Sequence, residues 1–238
     1  MIYVMSDIHG QYDAFIRMLN FINFSSNDML YILGDVIDRG PDGVPLLEYC
    51  MQHENVVLLI GNHEKMMLDA IEKQSHFDYA LWYENGGLST DESINNQNKK
   101  RILDYVHSLP YYKEITVNKQ KYMLIHAGLE IPHYAKEFQN FTVKNLMEWN
   151  VANENILWLR KEPLTWQARE RLLSEYRIVH GHTPQSAPCY FENGVMNIDT
   201  GVAKLNKLTC YNITANKIYS LNIKTDEFEE VYEPYELI

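Results

Sequence analysis

Three short apolar runs open the chain at nearly equal steps, and each ends in carboxylate, imidazole or amide side chains. Ile2 to Met5 runs into Ser6-Asp-Ile-His-Gly10, Met29 to Leu33 into Gly34-Asp-Val-Ile-Asp-Arg-Gly40, and Val56 to Ile60 into Gly61-Asn-His-Glu64. Asp7, Asp35 and Asn62 are 28 and 27 residues apart. That is about the length of a strand, a crossover helix and a return. Between the runs, Tyr12, Phe15, Ile16, Leu19 and Ile22 recur at the spacing of an amphipathic helix, and Val44, Leu46, Leu47 and Cys50 or Met51 form a second apolar face. The pattern predicts a βαβαβ unit with parallel strands. Right-handed crossovers then bring the three polar clusters to one sheet edge, where ligands bind in open α/β sheets.

The remaining chain is less regular. Residues 75–108 hold Phe77, Tyr79, Leu81, Trp82 and Tyr83, then Asn85-Gly-Gly87 and a polar run. This stretch reads as one or two helices and a loop inserted as a cap, with most of its aromatics packed against the body. Tyr112 to Val117 and Lys121 to Ile125 read as a hairpin ending in His126-Ala-Gly128. A helix over Trp166 to Ser174 precedes the short strand Arg177 to Val179, which ends in His180-Gly-His-Thr-Pro184. Pro188 to Phe191 and Val195 to Ile198 pair about Asn193-Gly194, and the second run ends in Asp199-Thr-Gly201. Later alternating segments make the second half mostly antiparallel. The fold class is therefore mixed α/β with α+β character. It is expected as one unit over 1–238, a central β-sandwich of two mixed sheets flanked by helices, with the site at strand carboxyl ends.

Composition narrows the partners. A formal net charge of -11 argues against a non-specific nucleic-acid binder or an anionic-membrane binder. It leaves room for an anionic substrate where metal ions dominate the local field. Cys50, Cys189 and Cys210 form no CxxC pair, so no disulfide framework or thiolate zinc site is indicated. With no signal-like N-terminus and no long apolar run, a soluble cytoplasmic protein is expected.

Asp7, His9, Asp35, Asn62, His126 and His182 together offer carboxylate, imidazole and amide oxygen. That donor set suits manganese, iron or zinc better than copper or an iron–sulfur cluster. Two such ions would clamp the attacking and leaving oxygens of a phosphoryl group, with Asp35 central enough to bridge them. His63 has the chemistry to protonate a leaving oxygen, and Asp38 to orient it. Arg39 and Arg160 have the fork to hold phosphate oxygens. His180 reads as a hydrogen-bonded strand-end histidine, and Glu64 as a supporting or capping carboxylate.

The motifs Ser6–Gly10, Gly34–Gly40 and Gly61–Glu64, followed by Ile125-His-Ala-Gly128 and Val179-His-Gly-His-Thr-Pro184, resemble the signatures of the calcineurin-like metallophosphoesterases. Within that family they resemble the serine/threonine protein phosphatase branch, whose bacterial and phage members are similar to symmetrical diadenosine tetraphosphate hydrolases. The resemblance implies a first metal held by Asp7, His9 and Asp35, and a second by Asp35, Asn62, His126 and His182. It implies water between the metals as nucleophile, His63 as general acid paired with Asp38, and Arg39 with Arg160 on phosphate. Manganese is the first expectation, with iron, zinc, nickel or cobalt as alternatives. Many wider-family members carry a second histidine two places after the His182 equivalent. Here that place is Pro184, so the first metal leans more on water.

The expected activity is dephosphorylation of phosphoserine and phosphothreonine in proteins. The alternative is cleavage of dinucleoside polyphosphates or another small phosphorylated metabolite, with Trp82, Tyr83 and Asn85 of the cap as possible base contacts. A catalytically silent protein-binding scaffold is the third reading, against which the intact His63 and Asp38 stand.

Overall fold

The computed structural model describes residues 1–132, 141–160, 173–191 and 194–232. The first third has the predicted order: β1 (Ile2–Met5), α1 (Tyr12–Phe21), β2 (Met29–Ile32), α2 (Gly43–Gln52), β3 (Val56–Leu58) and α3 (Asn62–Lys73). β1, β2 and β3 are parallel neighbours. Three helices fill this stretch: α4 (His76–Glu84), α5 (Leu88–Ser93) and α6 (Lys99–His107), the last where the sequence reads as helical from Lys99 to Leu109. The Gly86-Gly87 turn separates the first two.

The hairpin β4 (Tyr112–Val117) and β5 (Gln120–Ile125) follows, then α7 (Val143–Ala152), α8 (Asn155–Trp158), β6 (Tyr176–His180), β7 (Cys189–Phe191) and β8 (Val195–Asn197). A single turn, α9 (Val202–Leu205), leads into β9 (Lys207–Asn212), β10 (Lys217–Asn222) and β11 (Glu227–Tyr232). The expected helix over Trp166 to Ser174 falls almost entirely outside the described residues, as does Asn193 of the expected turn.

Six strands form one sheet in the order β11-β10-β9-β1-β2-β3, and five form a second in the order β4-β5-β6-β8-β7. Both sheets are mixed, as expected. The second half is less antiparallel than its sequence suggests, because β5–β6 and β6–β8 are parallel pairs. The connection from β5 to β6 carries α7 and α8, which is the length a parallel return requires. Each sheet therefore contains three parallel strands, and each of these six strands runs into one of the polar motifs.

Side chains alternate along the central strands with the period of two that strands impose. Tyr3, Met5, Leu30 and Ile32 join the large apolar cluster that includes α1, α2 and α3. Val4, Tyr31 and Leu33 turn the other way and join Tyr122, Leu124, Val179 and Met196 of the second sheet. One apolar layer thus draws on both sheets, and helices cover the opposite face of the first. No helix among the described residues is long and apolar enough to cross a membrane.

Candidate metal centre

The strand ends are joined to one another before any side chain is considered. Asp7 N–H donates to the Gly34 carbonyl at 3.2 Å, His9 N–H to the Asp35 carbonyl at 2.9 Å, and Gly10 N–H to the Val36 carbonyl at 2.7 Å. The first two motif loops therefore run side by side. Six of the expected site residues lie in the left-handed region, with φ of 50° at Asp7, 47° at His9, 55° at Asp35, 69° at Asp38, 66° at Arg39 and 67° at His182. Such backbone is uncommon for non-glycine residues and persists where surroundings over-determine it.

Glu64 supplies much of that determination. Its buried carboxylate accepts from Asp35 N–H, Val36 N–H and Gly61 N–H, each at 2.9 Å. It caps α3 and fixes the loop after β2 with the same two oxygens, which fits the capping role read from sequence. Burial raises its pKa, while the N–H donors act the other way. Gly61 faces the same loop so closely that a Cβ there would lie 2.2 Å from Asp35 Oδ1.

Asp35 sits between two clusters. Its Oδ1 is 3.5 Å from His126 Nε2, and its Oδ2 is 3.8 Å from both His9 Nε2 and His63 Nε2. His9, Asp35 and His63 form one group that could hold a metal ion, and Asp35, His126 and His182 form another. The histidine tautomers support this reading. His9 Nδ1 lies 3.1 Å from the Ile37 carbonyl and His126 Nδ1 lies 2.7 Å from the Leu33 carbonyl. A carbonyl only accepts, so each Nδ1 carries the proton and each Nε2 turns a lone pair inward.

His126 Nε2 then faces Asn62 Oδ1 at 3.0 Å and His182 Nδ1 at 3.2 Å. His126 Nε2 and Asn62 Oδ1 are both acceptors, an arrangement that a cation relieves, while His182 Nδ1 takes either role with its tautomer. The other ring nitrogen of His182 is buried with no hydrogen-bond partner within 3.5 Å among the described residues. The donor set fits hard-to-borderline divalent ions. Without a cation, burial lifts the Asp35 carboxyl well above its usual range, helped by the charges of Asp7 and Glu64. Burial likewise lowers His9, His63 and His182.

Asp7 is buried beside these clusters but outside both three-residue groups. Its Oδ2 accepts the His182 backbone N–H at 2.9 Å and also meets the Ser6 hydroxyl. His63 Nδ1 lies 2.6 Å from Asp38 Oδ2. Arg39 reaches His63 Nε2 at 2.9 Å and also contacts His9 Nε2, so its guanidinium lies against the first cluster. Arg160 donates to the His182 carbonyl at 3.0 Å. His180 stays apart, with Nδ1 near the Gly181 carbonyl and Nε2 unpartnered, and burial lowers its pKa to about 4.

A calcineurin-like phosphoesterase family pattern matches residues 1–210. The chain belongs to that family. Serine/threonine-protein phosphatase 2 of Salmonella typhimurium is 34% identical over 130 residues, 53% of this chain and 57% of that protein, so the match spans little more than half of that relative. Symmetrical bis(5'-nucleosyl)-tetraphosphatase of Wigglesworthia glossinidia brevipalpis is 28% identical over 214 residues, 78% of this chain and 75% of that protein. A protein serine/threonine phosphatase of Saccharomyces cerevisiae shares the fold, with a TM-score of 0.61 at 17% identity, covering 99% of this chain and 80% of its own. The curated relatives thus divide between two substrate classes.

Two features escaped the sequence, and a third was legible only as a strand-end carboxylate. Trp82 is fully buried and donates Nε1–H to both Asp38 oxygens, at 3.1 and 3.0 Å. The alternative of a base contact is therefore corrected for Trp82: its ring is inside, as packing predicts, and its one donor is used. Thr90 donates to Asp38 Oδ1 at 2.7 Å. Asp199 is the third, a carboxylate buried close enough to Asp7 that burial and that charge raise its pKa well above normal. The strand-end position of Asp199 was a usable signal; nothing local marked Thr90.

Proposed function

We propose that the chain is a metal-dependent phosphomonoester hydrolase acting on phosphoserine and phosphothreonine in proteins. The observation that carries this reading is the buried His63–Asp38 pair at 2.6 Å, set beside a carboxylate whose two oxygens face two different histidine clusters. Unactivated alkoxide leaving groups need a proton as they depart, and this pair is built to give one.

We assign Asp7, His9 and Asp35 to one ion, and Asp35, Asn62, His126 and His182 to the other, with manganese the first candidate. The ions, when bound, supply Lewis-acid charge and lower the pKa of water. The chain's own residues do the rest. Arg39 and Arg160 orient the phosphoryl oxygens. As a hydroxide oxygen, its proton already given up to solvent, forms its bond to phosphorus, the bond to the seryl or threonyl oxygen breaks. The electron pair left on that oxygen takes the proton from His63 Nε2, and His63 remains neutral with Nδ1–H on Asp38. We read the two sheets as a sandwich and helices α4 to α6 as a cap on one catalytic unit.

Symmetrical cleavage of a dinucleoside polyphosphate is the second reading. It is favoured by Trp158, exposed with its ring centroid 6.4 Å from that of His182, where a base could stack. Manganese-loaded protein offered a phosphoserine peptide and diadenosine tetraphosphate side by side decides between them. The first reading expects the higher kcat/KM on the peptide. A large excess for the dinucleotide overturns it.

A further inference from the structure

The Asp38 carboxylate is held from several sides, and most of what holds it comes from α4 and α5. Its Oδ1 takes the Thr90 hydroxyl and the Trp82 indole N–H, while its Oδ2 takes the same indole N–H and faces His63 Nδ1. The Thr90 oxygen also accepts the Asp38 backbone N–H at 3.0 Å, so one hydroxyl fixes both the main chain and the side chain. A hydroxyl has one proton and two lone pairs, so both bonds are made at once.

The turn between α4 and α5 completes the grip. The Gly86 carbonyl accepts Arg39 N–H at 3.0 Å. Gly87 lies flat on the Trp82 ring, where a Cβ would come within 2.4 Å of the indole. Asp38 and Arg39 both have left-handed backbone, which needs support from outside the loop.

We propose that Trp82 and Thr90 are positioning residues for proton donation: they hold the Asp38 carboxylate in the one orientation that keeps His63 Nε2 aimed at the departing oxygen. The inserted segment then serves the chemistry from beneath, through Asp38, without touching substrate. This rests on the acid role given to His63.

The test uses full-length metal-loaded enzyme and two aryl phosphates. Phenyl phosphate releases a poor leaving group that needs a proton; 2,4-dinitrophenyl phosphate releases one that does not. Trp82→Phe and Thr90→Val are each expected to lower kcat on phenyl phosphate about tenfold, the worth of one hydrogen bond to a charged group. On dinitrophenyl phosphate the loss should stay under about twofold. Thr90→Ser, which keeps the hydroxyl, should restore the rate on phenyl phosphate. In an Asp38→Asn background, Trp82→Phe should add less than about twofold. Equal losses on both substrates, or full additivity with Asp38→Asn, overturn the proposal. If Asp38→Asn itself shows no leaving-group dependence, the acid reading falls and takes the proposal with it. If Asp38→Asn shows it and neither cap variant does, only the proposal falls.

Discussion

The strand ends and the cap reach the same centre by opposite means. The strand ends supply the donor atoms, each from a short loop at the end of a parallel strand, with alignment fixed by hydrogen bonds between neighbouring loops. Among the described residues, helices α4 to α6, which we read as a cap, supply no residue to either candidate metal cluster. They contribute an indole N–H and a hydroxyl to a single carboxylate. Geometry that must be shared by six loops is built into the sheet; geometry needed by one side chain can be added later in the chain by an insertion.

If the division is real, damage to the strand ends should remove metal, and damage to the cap should spare it. Asp35→Asn should show the largest effect. It removes the charge shared by both clusters, so bound metal measured by mass spectrometry should fall and kcat should drop by ~10³-fold or more. His63→Asn comes next, with a loss of ~10²–10⁴-fold on an unactivated phosphoester at full metal content. If that variant kept near-normal turnover, the proton would come from elsewhere. Gly87→Ala forces the Trp82 ring to shift and should cost about tenfold in kcat without loss of metal. Loss of metal in that variant would join cap and strand ends into one unit and end the comparison.

Two stability measurements sharpen it further. Glu64→Gln exchanges a carboxylate that accepts four backbone N–H groups for an amide with one acceptor oxygen. Denaturant melts should show a loss of about 2–4 kcal/mol. The smallest effect belongs to His180. Its folded pKa, about 4, lies below its ordinary value of 6.5, so the unfolded chain binds the extra proton between those limits. Its contribution is full above pH 6.5 and is lost as pH falls toward 4, at most about 3 kcal/mol. In His180→Gln that portion of the acid slope should vanish.

The sequence was most legible where periodicity and chemistry coincided. Asp7, Asp35 and Asn62 follow apolar runs at regular intervals, and that regularity is the sheet itself. The parallel pairing of β5, β6 and β8 was hidden, because irregular chain separates them and their alternation looks the same for either strand direction. Trp82 and Thr90 were illegible for a different reason. A buried tryptophan looks like core in any sequence, and its single polar atom declares a partner only when the fold brings Asp38 within reach. Glu64 stood in between: its place three residues after Gly61 marked a cap, but not that the same carboxylate grips the loop after β2.

The left-handed backbone at Asp7, His9, Asp35, Asp38, Arg39 and His182 has a consequence for how this chain can change. Each such residue gives up about 1 kcal/mol that glycine would keep. Heat resistance and turnover therefore pull against each other at the same six places. A lineage or an engineer in search of a hardier scaffold would find its easiest gains in the positions that the reaction can least spare.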